Sequence, residues 1–304
     1  MIAVCGEALV DLVPTDDTAA MYAALPGGSP ANTAVALARL GLPTLLLARL
    51  SDDGFGRLLR AHLQTNGVDL ARAVPATERS TLAIVSLGAD GAAAYRFDVS
   101  GTADWQWTAA ELGPLPTAVR AIHAGSLALA LAPGSLALEA FLVRERPRCT
   151  ISVDPNLRPS LTPDLDAVRT AVQRWLAIAD IVKASTEDLE LLHPGEDPID
   201  VARRWAAAGP AVVVVTCAEA GAFGVVRGEV ISRPAVPTIV VDTVGAGDTF
   251  TAGLLEQLDR AGQLGSRLDH LTAADVAAAL DRGLRAAAVT CSRPGADPPW
   301  AAEL

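Results

Sequence analysis

Val241-Asp242-Thr243-Val244-Gly245-Ala246-Gly247-Asp248-Thr249-Phe250 leads a branched apolar segment, read as a strand, into two glycines and then an acidic residue. A helix is expected from Phe250 to about Ala261. Glycines at 245 and 247 let backbone amides crowd together without side chains, and the helix aims its partial positive end at the same spot. An anion is expected there. A carboxylate beside such a site repels phosphate unless it has a separate task. For Asp248 the task that fits is accepting the proton of an attacking hydroxyl while the amides of Gly245, Ala246 and Gly247 hold the transferred phosphoryl group. Other readings of the glycines are incomplete. A dinucleotide fold wants a third glycine where Phe250 stands. A P-loop needs a lysine beside its glycines, and the only lysine, Lys183, is far from this turn. The plain alternative is a closely packed turn with Asp248 as a helix-start residue stabilised by the dipole.

The 304 residues, 51% of them hydrophobic, can supply one large α/β domain or two small ones. A formal net charge of −11 argues against nucleic-acid and membrane partners, and a phosphate-bearing substrate would then need local positive charge or a metal. Cys5, Cys149, Cys217 and Cys291 form no Cys-x-x-Cys pair, as expected of small buried residues in a reducing compartment. The first apolar stretch lacks a basic flank and is interrupted by Glu7 and Asp11, unlike a signal peptide. Leu127 to Val143 is broken by Pro133-Gly134-Ser135 and is too short to span a bilayer. A cytoplasmic protein is expected.

Short apolar runs at Ile2–Cys5, Thr44–Leu47, Ile151–Val153, Ile181-Val182 and Ala211–Thr216 read as buried parallel strands. Between them lie helix candidates at Pro30–Leu40, Phe55–Asn66, Ser135–Arg144, Leu165–Ile178, Ile199–Ala208 and Ala273–Val289. The alternation predicts an α/β fold, a doubly wound sheet with helices on both faces. One region departs from it. Thr81–Leu87 and Ala92–Asp98 flank Gly88-Ala89-Asp90-Gly91 as a β-hairpin, and Leu9–Val13 with Met21–Leu25 can add strands. The expectation is a single domain over residues 1–304 with a small β-sheet lid built from about 9–26 and about 71–107. An ordinary edge hairpin is the alternative.

Gly27-Gly28-Ser29-Pro30-Ala31-Asn32 also precedes a helix and nearly matches a serine-hydrolase elbow. That elbow needs the N–H of the residue after the serine, and Pro30 has none. Asn32, one turn into the helix, can both donate to and accept from a hydroxyl, as can the exposed glycine backbone, so polyol binding suits the loop better. A capped helix with Asn32 facing solvent remains open.

With a Gly-Gly-x-x-x-Asn loop near the start and Asp-Thr-x-Gly-Ala-Gly-Asp near the end, the chain resembles the ribokinase or PfkB family of carbohydrate kinases along nearly its whole length, in particular its fructokinase-like branch. The resemblance implies a ribokinase-like fold, ATP and Mg²⁺ as cofactors, and Asp248 as catalytic base over an anion hole at Gly245, Ala246 and Gly247. It implies that Asp11, with Gly27, Gly28 and Asn32, grips the sugar hydroxyls. Asp154-Pro155-Asn156-Leu157-Arg158 follows a strand end and resembles the Asp-x-Asn-x-Arg segment of fructokinases and 2-keto-3-deoxygluconate kinases, where Arg158 would offset phosphate charge. Lys183 and Ser185 match a region that organises Mg²⁺ and phosphate, with Asp188, in place of the usual Glu, reaching the metal through water. Thr216 and Gly221 match the nucleotide loop, although Ala218 stands where its first glycine belongs. Asp242, with the Val244 carbonyl, matches a monovalent-cation site of some members, which leaves dependence on K⁺ open. The segment Ala286 to Ala296 resembles one that lines an adenine pocket. The implied reaction is ATP-dependent phosphorylation of a primary hydroxyl, foremost fructose to fructose 6-phosphate. A 2-keto-3-deoxy sugar acid, ribose or a nucleoside stays open as acceptor, as do a non-catalytic sensor and a homodimer joined through the lid.

Overall fold

The computed structural model describes residues 1–15, 20–87 and 93–304, so the turn expected at Gly88-Ala89-Asp90-Gly91 lies outside the described residues. Eight strands form the main sheet, in the order Glu229–Arg233, Ala222–Val226, Val212–Thr216, Ile181–Ser185, Thr150–Asp154, Ala121–Gly125, Ile2–Cys5, Thr44–Leu47. From Val212–Thr216 to Thr44–Leu47 the strands are parallel, and the first two add an antiparallel edge. Side chains alternate between the two faces. Ala3, Cys5, Ile151 and Val153 pack with Phe141, Trp175 and Trp205 of the helices Gly134–Glu145, Leu165–Ile178 and Pro198–Ala207. Ile2, Val4, Leu46 and Val214 pack with Leu37, Leu59, Phe250 and Leu280 of Ser29–Arg39, Gly54–Thr65, Ala246–Arg260 and Ala273–Cys291. Burial on both faces is why these strands read as unbroken apolar runs.

Every expected helix is present with ends within two residues, except that the one placed at Phe250 begins at Ala246. Short helices at Leu127–Ala130 and Thr186–Leu192 were not foreseen. Nor was the strand Ala121–Gly125, whose apolar run His123 interrupts; its Nδ1 lies 3.0 Å from Ser152 Oγ on the next strand. The antiparallel edge turns at Arg227 (φ 52°) and Gly228 (φ 81°), both left-handed as a tight two-residue hairpin requires. One expectation is corrected. The apolar segment before Gly245 joins no sheet, because Pro234 and Pro237 remove backbone donors, and Ile239 is 84% exposed.

A second sheet runs Tyr22–Gly27, Leu9–Pro14, Leu82–Leu87, Ala93–Asp98. Residues 71–81 and 99–107 lie outside it. Val74–Ala76 pairs with Arg49–Ser51, and Trp105 and Trp107 are buried against the main body. Cys5, Asp154, Ser185 and Thr216 end their parallel strands on one edge of the main sheet, the edge where open α/β sheets bind ligands.

Candidate active site

Gly245 (φ 74°) caps the helix Ala246–Arg260, so Gly247 and Asp248 lie in its first turn, where backbone N–H groups have no partner within the helix. A Cβ at Gly245 would stand 2.7 Å from that of Ala296, so both the conformation and the space demand glycine. Asp248 is buried. Its Oδ1 accepts from Ser29 Oγ at 2.6 Å and its Oδ2 from Asn32 Nδ2 at 2.9 Å. Both donors stand one turn apart at the start of Ser29–Arg39 and therefore share a face. Gly28 (φ 100°) makes the preceding bend, where a Cβ would meet the Glu7 carbonyl at 2.8 Å. The two glycine loops thus meet at one carboxylate. Asn32, assigned to the sugar from sequence, turns its amide to Asp248, and Ser29, weighed as a nucleophile, is a donor to that same carboxylate.

Lys183 brings positive charge to the same place. Its Nζ donates to Asp154 Oδ2 at 3.0 Å and would lie 3.1 Å from a Cβ built on Gly247. Burial disfavours the ammonium, but Asp154, Asp188 and Asp248 outweigh that and raise its pKa. Burial lifts the Asp154 carboxyl to about 6 against the pull of Lys183, and its Oδ1 accepts no hydrogen bond. His123, pushed down to about 3 by burial and by Lys183, stays neutral.

Asp11, on the strand Leu9–Pro14, packs its carboxylate over Gly27, where a Cβ would come within 2.2 Å of Oδ2. Burial raises it to about 6; Arg158 opposes the rise and Asp248 adds to it. Arg158 Nη1 donates to Asn156 Oδ1 at 2.8 Å and to the Leu157 carbonyl at 3.0 Å. Tyr95, which sequence reasoning missed, reaches this group from the second sheet. Its phenol is raised by burial and by the Asp11 and Asp242 carboxylates.

Asp188 anchors this loop. Its Oδ1 accepts the Leu157 N–H at 2.8 Å, and its Oδ2 accepts the N–H and hydroxyl of Ser185 at 2.9 and 2.8 Å in a reciprocal helix cap. Among the described residues no cluster of three or more His, Cys, Asp or Glu side chains converges on a metal position. Asp242 is similarly engaged: Oδ1 accepts the Val244 N–H at 3.0 Å and Oδ2 the Gly295 N–H at 2.7 Å. Thr216 Oγ1 donates to the Ala184 carbonyl at 3.4 Å. Gly221 (φ 99°) lets its backbone pass the Arg233 carbonyl, which a Cβ would meet at 2.1 Å. Ala218 adopts φ 45°, a conformation that favours the glycine it replaces. Among the described residues no hydrogen bond joins this turn to Asp248.

The family model described as pfkB family carbohydrate kinase matches residues 1–303. A fructokinase from Rhizobium leguminosarum bv. trifolii is 38% identical over 92% of this chain and 84% of its own. Among solved structures, a fructokinase double mutant from Vibrio cholerae O395 with fructose, ADP and a potassium ion is 27% identical, with a TM-score of 0.84 over 97% of this chain and 93% of that one. Aminoimidazole riboside kinase from Salmonella enterica, complexed with aminoimidazole riboside and an ATP analogue, is 28% identical, with a TM-score of 0.83 over 97% and 94%.

Proposed function

The chain belongs to the pfkB family of carbohydrate kinases, and from that membership we propose that it is a fructokinase, moving the terminal phosphoryl group of ATP to the primary 6-hydroxyl of fructose. It is a phosphotransferase acting on a sugar hydroxyl. The observation that carries the chemistry is Asp248, held by Ser29 and Asn32 in the first turn of a glycine-capped helix beside Lys183. The curated fructokinase relatives support fructose as acceptor.

In this reading Asp248 takes the proton of the sugar hydroxyl as its oxygen attacks. The amides of Gly245 and Gly247, together with Lys183, meet the charge that spreads over the phosphoryl oxygens, while the Ala246 N–H donates to the Thr243 carbonyl at 3.2 Å and closes the turn. Arg158 adds positive charge from the Asp154–Arg158 loop. MgATP enters as substrate, its metal carried by the phosphates as such ions usually are. Asp188 then serves by holding the Arg158 loop. Thr216 and Gly221 border the nucleotide, and a potassium ion near Asp242 would share a carboxylate already bonded to two amides. The second sheet acts as a lid that excludes water once sugar is bound. Its exposed Tyr22 and Leu25, with Met21 just before them, offer apolar surface to a second copy. We place the reaction in the cytoplasm, where ATP is available; no helix among the described residues is long and apolar enough to cross a membrane.

The test is ADP release with MgATP and a panel of fructose, ribose, 2-keto-3-deoxygluconate, aminoimidazole riboside and nucleosides. Fructose should give the highest kcat/KM. A different best acceptor would keep the kinase and replace its substrate, and no turnover with any member would remove the assignment.

Asp11→Ala should raise the KM for fructose roughly ten- to hundredfold, the loss of a charge-assisted hydrogen bond, with the KM for ATP unchanged. Ionised Asp11 accepts hydroxyl protons, so kcat/KM for sugar should fall as pH drops through about 6. Asp11→Asn should abolish that limb of the profile. A limb that survives the substitution belongs to another group.

A further inference from the structure

Four stretches join the second sheet to the body: Gly6-Glu7-Ala8, Gly28, residues 77–81 and residues 99–103. Three of them close on one buried carboxyl. Asp104, 1% exposed, accepts the Ala8 N–H through Oδ1 at 3.0 Å. Thr81 stands beside that carboxyl, and its hydroxyl lies 2.6 Å from that of Thr102, which donates to the Val99 carbonyl at 3.0 Å. Backbone bonds run between the same stretches, from Val10 N–H to the Thr81 carbonyl at 3.1 Å and from Ala103 N–H to the Arg79 carbonyl at 3.0 Å. Arg49, itself paired with Glu78 and Glu111, donates to the Ala103 carbonyl at 3.0 Å.

The hydroxyl protons in this chain run one way. With the Thr102 proton on Val99, the Thr81 proton goes to Thr102 and none remains for Asp104, whose Oδ2 accepts no hydrogen bond. A buried carboxylate with an empty oxygen is costly, whereas a neutral acid can give its proton to the Thr81 oxygen. Burial raises Asp104 to about 7, against the Ala8 amide and Arg49. Burial also raises neighbouring Glu7 to about 7, with Asp104 contributing to the rise.

We propose that Asp104 is a positioning residue for the sugar site: its carboxyl pins the joint of the second sheet and, through the Ala8 amide, fixes the strand that carries Asp11 three residues on. The proposal rests on the kinase reading for its functional readout, but the joint itself can be tested without substrate. In hydrogen exchange of the free protein, Asp104→Ala should speed exchange across residues 8–14 relative to the wild type. With the acceptor that proves best in the panel, the same variant should raise the sugar KM about tenfold or more, leaving kcat and the KM for ATP within about twofold. Asp104→Asn, whose amide can accept from Ala8 and donate to Thr81, should restore the sugar KM to within about threefold of wild type. An unchanged sugar KM in Asp104→Ala, parallel losses for both substrates, or an Asn variant as impaired as Ala would each overturn the proposal. If Asp104→Ala does not fold, Thr81→Val takes its place, since it removes the hydroxyl beside the carboxyl and keeps the shape. A sugar KM raised at least about threefold then supports the assignment, and an unchanged one overturns it. Altered exchange at residues 8–14 with no sugar phosphorylated would leave the joint standing and remove the kinase reading alone.

Discussion

Asp248→Asn is expected to lower kcat by about 10²–10⁴, the usual contribution of a positioned general base, while ATP binds nearly as before. The amide keeps the shape of the carboxylate but cannot take the proton. Ser29 and Asn32 both donate to the native side chain; the Asn oxygen can keep Asn32 while its NH₂ group donates to a turned Ser29 hydroxyl, so the local hydrogen bonds can survive the change. Retention of more than about a tenth of wild-type kcat would show that the proton leaves by another route.

Lys183→Met should be as damaging in a different way. It removes the ammonium beside the first turn of Ala246–Arg260, and the loss of one such electrostatic partner typically costs about 10²–10³ in kcat. It also strands Asp154, which is buried with one oxygen already unpartnered, at a cost of up to about 3–5 kcal/mol of stability. The two effects separate in the double variant Lys183→Met with Asp154→Leu. Removing both charges should recover most of the stability measured by denaturation and none of the turnover. If turnover returned with stability, Lys183 would be a structural cation only.

What sequence could show depended on how local the cause was. Strands such as Ile2–Cys5 and Val212–Thr216 were legible because burial on both faces leaves no polar position to confuse the run. Ala121–Gly125 was hidden by His123, whose partner Ser152 lies on another strand. The Arg227-Gly228 hairpin was masked because its first left-handed position is an arginine, where asparagine, aspartate or glycine is the usual turn signal. The loops around Gly28 and Gly245 stood out because only glycine meets their conformation and contacts. Ser29, Tyr95 and Asp104 did not, because their roles arise from partners remote in the chain. Ser29 lies 219 residues from Asp248, and Ala8 lies 96 from Asp104. No periodicity or motif encodes such pairs. Asp188 and Asp242 were legible as motif positions, but the hydrogen bonds by which they also hold the loops around the site were not, since the Leu157 and Gly295 N–H groups that they accept lie 31 and 53 residues away.

Because Lys183 is the only lysine and lies buried in a central strand, an endoprotease that cuts solely after lysine has a single target here. The folded chain should pass such a protease intact, and each cut should yield the same two pieces, residues 1–183 and 184–304. Where opening and closing are fast relative to cleavage, the rate of that cut reports how often the centre of the sheet comes apart. The lysine beside Gly247 thereby doubles as a built-in gauge of global opening, readable on a gel without any label.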